Sequence, residues 1–210
     1  MNELTNTVKL SGQVVEEPVF NHEAFSEKFY KTTIKVFRKS GIADFVPVVI
    51  SQVLFDANRN WKDAYVNVSG QIRTRNVKTE DGHSKLIINV FVLAWSEINE
   101  SDCSNDNNVS LVGYICKKPV YRTTPMGREI ADVTLAVNRP YGKSDYIPII
   151  CWGRCAKLME TMYIGTKIEL CGRFQSRDYI KRNEFGDESE FKTAYEVSSI
   201  KFGVIRDEGN

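Results

Sequence analysis

Between residues 136 and 154 the chain reads AVNRPYGKSDYIPIICWGR, setting Tyr141, Tyr146 and Trp152 among Arg139, Lys143 and Arg154. Rings stack on flat partners, and guanidinium or ammonium groups neutralise anions. A segment offering both suits a ligand with flat rings and negative charge along its length. Read as a strand, YIPIICW places alternate side chains on opposite faces. Tyr146, Pro148, Ile150 and Trp152 then share one face, while Ile147, Ile149 and Cys151 share another suited to an interior. The two rings leave the core side roughly 20 Å apart at about 3.3 Å per residue. Single-stranded nucleic acid matches this pattern, because each stacked base contributes about 1–3 kcal/mol and Lys or Arg meets the phosphates. A competing reading is that the rings cover a helix or form a subunit contact, where Tyr and Trp are common.

Two further segments carry the same chemistry. RFQSRDYIKR (173–182) holds Arg173, Arg177, Lys181, Arg182 and Tyr179 at the start of a long hairpin ending near Phe191, and RTTPMGRE (122–129) is a turn with Arg122 and Arg128. Other chemistries find less support. Cys151 and Cys155 in CWGRC have the spacing of a thiol pair or half a zinc site, but structural zinc wants four Cys/His ligands and no second pair lies nearby. His22 and His83 fall in loop-like stretches without a Ser or Cys partner, and read as solvated. The acidic run EFGDESE (184–190) resembles paired carboxylates but reads as a hairpin tip kept open by like charges. No phosphate-binding glycine fingerprint is present. The expectation is no enzyme, no cofactor and no metal.

The elements that must position these residues come in two copies. LSGQVVEEPVF (10–20) aligns with LVGYICKKPVY (111–121), and DFVPVVI (44–50) with DYIPIIC (145–151), both at an offset of 101; AYVNVSGQIRTR (64–75) aligns with TKIELCGRFQSR (166–177) at 102. Three blocks in one order indicate duplication. The polar NESDCSNDNN between the copies reads as a linker. The expected organisation is a first domain over 1–98, a linker over 99–107, a second domain over 108–205, and a short tail over 206–210.

In the second copy VSLVGYI, ADVTLAV, YIPIICW, KIELCGRF and TAYEVSSI read as strands. GRCAKLMETMYIG (153–165) reads as a helix, with Ala156, Met159 and Tyr163 on one face. Three strands, a helix and two strands are the order of the OB-fold, a five-stranded Greek-key barrel. The expected class is all-β, two tandem OB-folds, each with one helix between strands three and four; an SH3-like barrel is the main competitor. Pro47 and Pro148 suggest edge or bulge positions, and Gly12, Gly70, Gly113 and Gly172 suit sharply bent strands.

Bulk properties narrow the partners. The chain has 210 residues, 42% hydrophobic and 26% charged, an ordinary globular balance. Its net charge of +1 leaves no overall field toward polyanions, so any such site must be a local cluster of bases. No run approaches the roughly 18 apolar residues that span a bilayer, and MNELTNTVKL lacks the features of a secretion signal. Five cysteines without scaffold spacing suggest free thiols in a reducing cytoplasm.

The second half resembles the bacterial single-stranded DNA-binding protein family. The resemblance lies in NNVSLVGYICKKPVYRTTPMGREIADVTLAVNRPY (107–141), DYIPIICWGRCAKLMETMYIGTKIELCGRFQSRDY (145–179) and TAYEVSSIKF (193–202). It implies an OB-fold and sequence-independent binding of single-stranded DNA in replication, recombination or repair. It also implies stacking at Tyr141, Tyr146, Trp152 and Tyr179, with Arg122, Arg139, Arg154, Arg173 and Arg177 as candidate phosphate contacts. Because the family generally works with four such domains, a homodimer is expected. Members commonly end in an acidic tail that recruits replication and repair proteins; KFGVIRDEGN offers only Asp207 and Glu208, so recruitment by that route is not expected. The first half departs where binding would live. Phe45 stands for Tyr146 and keeps one stacking ring, but Ser51 stands for Trp152, Val77 for Tyr179 and Asn21 for Arg122, while Arg38 and Arg75 match Arg139 and Arg177. Up to residue 100 there are twelve bases and twelve acids; from residue 107 there are sixteen and thirteen. The first copy is therefore expected to bind more weakly and to serve in assembly. The alternative is a primosome-type accessory protein that bridges other proteins and touches single strands only weakly.

Overall fold

The computed structural model describes residues 5–79, 82–182 and 189–206, without the side chains of Tyr141, Lys181, Arg182 and residues 189–191. The acidic hairpin tip and the tail beyond Arg206 lie outside the described residues.

The first copy is built from β1 (Asn6–Val14), β2 (Val19–Ala24), β3 (Glu27–Phe37), β4 (Ala43–Ser51), β5 (Tyr65–Lys78) and β6 (Ser84–Ile98). β1 pairs with both β3 and β5, β5 with β6, β3 with β4, and β4 runs parallel to β6 at Val48 and Val49. That cycle closes a five-stranded Greek-key barrel. β2 is an added short strand on β3 that the sequence reading did not separate. The second copy repeats the arrangement with β7 (Asn107–Ile115), β8 (Val120–Thr123), β9 (Glu129–Asn138), β10 (Ser144–Trp152), β11 (Lys167–Arg182) and β12 (Ser189–Val204).

Alternation drives the packing. Ile147, Ile149 and Cys151 are buried inside the second barrel, as are Val46, Val48 and Ile50 in the first. Closing so small a barrel brings strands into contact across sharp bends. A Cβ at Gly172, beside the bulge in β11, would collide with the carbonyl oxygen of Ser198, so only glycine fits. Pro148 pairs with Thr134 of β9, while β10 meets β12 only at Ile149 and Ile150. The proline therefore sits where its missing N–H disrupts no second ladder; Pro47 repeats this beside Val48.

The expected helix forms in the second copy only, as α1 (Arg154–Glu160), shorter than the pattern suggests: Ala156 and Met159 plug the barrel, but Tyr163 lies beyond and is exposed. In the first copy the same place holds a 3-10 turn, Gln52–Leu54. Asp56 and Asn60 accept hydrogen bonds from the backbone N–H groups of Asn58 and Lys62, local turns that compete with a helix. The plug is aromatic instead, with Phe55, Trp61 and Trp95 rings 5.5–6.4 Å apart.

The two barrels share a seam. β1 pairs antiparallel with β7, from Asn6 opposite Leu111 to Leu10 opposite Asn107, giving one twelve-stranded sheet. The stretch expected to be a plain linker is bound to the first copy. Ser104 N–H donates to Ser11 Oγ at 3.2 Å, Ser11 N–H to the Asp106 carbonyl at 2.9 Å, and Phe37 N–H to Asn105 Oδ1 at 3.2 Å. No helix among the described residues is long and apolar enough to cross a membrane.

Candidate nucleic-acid interface

Trp152 ends β10 on its outer face, 37% exposed, and its indole N–H donates to Ser198 Oγ at 3.1 Å. That bond fixes the ring over β12 at the wall of a groove of about 490 Å³. Arg128 enters from the turn before β9, Arg173 and Arg177 from β11, and Arg38 with Ile42 from the first copy. Among the described residues, four arginines and no acidic side chain line it. Glu196 lies behind Arg177 at 3.7 Å, but its carboxylate also accepts from Gln175 Nε2 at 2.6 Å. Arg177 lies 5.9 Å from the centroid of the exposed Tyr179 ring. A flat ring edged by fixed cations can stack a base and hold its phosphates.

The corresponding place in the first copy has the opposite character. Ser51 stands for Trp152 and Glu27 for Arg128, and the Ser51 hydroxyl donates to the Glu27 carboxylate. A platform and a cation have become a small polar pair that repels phosphate. His22 is not in a loop but in β2, stacked on Phe29 with centroids 4.8 Å apart; His83 lies in the turn before β6.

Tyr146 and Phe45 lie elsewhere, at two junctions between the copies. Tyr146 is 51% exposed and its backbone N–H donates to Thr74 Oγ1 of the first copy at 2.9 Å. Phe45 is 40% exposed and its N–H donates to Ser176 Oγ of the second copy, also at 2.9 Å. Neither ring lines the Trp152 groove. Each junction centres on a buried aspartate. Asp145 accepts from Arg139 through two bonds, from Arg73 at 3.2 Å and from Thr74 N–H at 2.6 Å. Arg139 also donates to the Thr74 carbonyl at 3.2 Å; it braces the copies rather than projecting toward solvent. Asp44 accepts from Arg38 and from Ser176 N–H at 3.2 Å.

The remaining candidates are scattered. Arg122 is exposed and paired with Asp132 at 2.7 Å, which holds its guanidinium above its ordinary pKa. Lys143 and Arg154 are exposed. The side chains of Tyr141, Lys181 and Arg182 lie outside the described residues. Arg38, Ile42 and Ile200 were missed; the one available signal was that Arg38 and Asp44 repeat the spacing of Arg139 and Asp145. Among the described residues no cluster of three or more His, Cys, Asp or Glu could hold a metal. All five cysteines are free. Burial pushes the Cys151 thiol up to about 12, which leaves it protonated and a poor ligand.

The profile of the single-strand binding protein family matches residues 106–202. The second copy is similar to that family along nearly its whole length. Single-stranded DNA-binding protein A of Bacillus subtilis (strain 168) is 34% identical over 103 residues, which are 46% of this chain and 58% of that protein. Single-stranded DNA-binding protein 1 of Staphylococcus aureus (strain COL) is 36% identical over 103 residues, 46% of this chain and 60% of that one. The match thus spans little more than half the length of these relatives. The structure of the wild-type single-stranded DNA binding protein from Thermus aquaticus covers 98% of this chain and 95% of its own, with a TM-score of 0.76 at 17% identity. That likeness covers both copies and shows the fold: two OB-folds in tandem.

Proposed function

We propose that the chain binds single-stranded DNA without regard to sequence, as a non-enzymatic coating protein in replication, recombination or repair. The observation that carries this reading is the Trp152 ring in a groove lined by Arg38, Arg128, Arg173 and Arg177. The likeness of the second copy to the single-strand binding protein family and the names of its relatives support the same ligand. Arg139 enters the proposal as a brace rather than a phosphate contact; Arg154, Lys143 and Tyr179 enter as secondary contacts outside the groove. Two chains giving four OB-folds is the assembly we infer, and the cytoplasm its compartment.

The test uses the Trp61→Phe, Trp95→Phe chain, in which Trp152 is the sole tryptophan. Titration with oligo-dT should quench its emission, and Trp152→Ala in the natural background should weaken binding by about 1–3 kcal/mol. Unchanged emission at saturation would remove the ring from the site. A primosome-type accessory role would show instead as weak binding with little salt dependence.

A further inference from the structure

The Trp152 groove does not stop at the second copy. Past Arg38, Arg173 and Ile200 it opens into a second depression of about 720 Å³, walled by Phe37 and Lys39 of the first copy, by Asn105 of the linker and by Asn108 of β7. We propose that the Asp44 junction between these grooves is a phosphodiester site made by both copies, over which a single strand passes from Trp152 across the linker onto the first copy. This rests on the single-strand reading above and extends it to a defined path.

The reason lies in how the junction is paired. Arg38 occupies both oxygens of Asp44. Arg173 comes no closer than 4.0 Å, and its buried Nε–H has no hydrogen-bond partner among the described residues. Two guanidinium groups thus face one carboxylate that is already satisfied. Burial, and then repulsion from Arg38, lower the pKa of Arg173, as burial and repulsion from Arg139 do for Arg73. The Arg173 side chain is 35% exposed, so the outer amino groups of its guanidinium, rather than the buried Nε–H, can meet a phosphate oxygen, which also supplies the missing charge. The other junction offers no such opening: Arg73 reaches Asp145 directly and also donates to Gln71.

Beyond the junction the wall continues the same chemistry. Phe37 is 44% exposed, with Lys35 Nζ 4.6 Å from its ring centroid, and Lys39 is exposed. Ile200, 68% exposed, gives an apolar floor common to both grooves. Asp106 also lines the wall, its carboxylate accepting from the Ser104 hydroxyl at 2.8 Å. The linker's bonds to Ser11 and Phe37 hold this wall in place before any ligand arrives.

The test compares two labelled oligo-dT lengths on the full chain, on the order of 8 and 20 nucleotides, chosen from the usual span of one OB-fold. Phe37→Ala with Lys39→Gln alters two exposed side chains that do not touch Asp44. Binding of the long oligomer should fall about tenfold or more, with a salt slope reduced by about 0.7 for the lost phosphate contact, while the short oligomer binds as before. Arg173→Gln should weaken both. If the double variant keeps natural affinity and salt slope for the long oligomer while Trp152 is still quenched, the path over the linker is wrong and the Trp152 site stands. If the short oligomer leaves Trp152 emission unchanged, the single-strand reading falls and this inference with it.

Discussion

The junctions at Asp44 and Asp145 are the same device made twice, yet one is closed and the other open. In each, an arginine six residues before the aspartate grips it, and the facing copy contributes a backbone N–H and a hydroxyl. The difference lies in two positions of the facing strand. The first copy has Gln71 and Arg73 where the second has Arg173 and Gln175. Residues two apart share a strand face, so exchanging them moves the guanidinium by roughly 7 Å along the strand. At Asp145 the second arginine lands on the carboxylate; at Asp44 it stops short with an orphaned donor. A change of order, with composition unchanged, separates a brace from a candidate ligand site.

The comparison can be broken first on stability. Asp145→Ala strands two arginines and should cost about 3–5 kcal/mol, measured by urea unfolding. Asp44→Ala strands one directly bonded arginine and should cost less, nearer the lower figure of about 3 kcal/mol; equal losses would mean that Arg73 adds nothing to the closed junction. Next comes the contrast between Trp152 with Arg128 and Ser51 with Glu27. Glu27→Arg with Ser51→Trp should give the first copy a groove of its own and strengthen oligo-dT binding by about 1–3 kcal/mol. No gain would show that the docked geometry, rather than these two residues, decides which copy binds. The smallest effect tests the hydroxyls. Thr74→Val removes an acceptor for Tyr146 N–H and a donor to Asp145 and should cost about 1–1.5 kcal/mol, against about 1 for Ser176→Ala, which loses only the bond from Phe45.

Much of the architecture could be read from the chain because its causes are local. The period of two put Ile147, Ile149 and Cys151 inside and Tyr146 and Trp152 outside, and the near-constant offset of the repeat transferred that assignment to the first copy. The first copy's missing helix was harder to see, because Asp56 and Asn60 had to be weighed against an apolar pattern and the large Phe55, Trp61 and Trp95 rings made a plug without one. The second copy's share of the groove, Trp152, Arg128, Arg173 and Arg177, was legible; the first copy's share was not. Arg38 and Ile42 share a groove with Trp152 only because the barrels dock across a seam between strands about a hundred residues apart. Arg139 shows the opposite failure: its type and neighbours suggested phosphate, while its repeated spacing to Asp145 pointed to the brace that the structure contains.

The β1–β7 seam has a consequence for how such a molecule changes over time. Two identical subunits meeting about a two-fold axis must carry every substitution twice, once on each side of the contact. Here the two partners are encoded separately, in one chain, with their edges already zipped in register. One half is therefore free to keep an acid where the other keeps a tryptophan's cationic neighbour, and a lopsided assembly becomes heritable from a single gene.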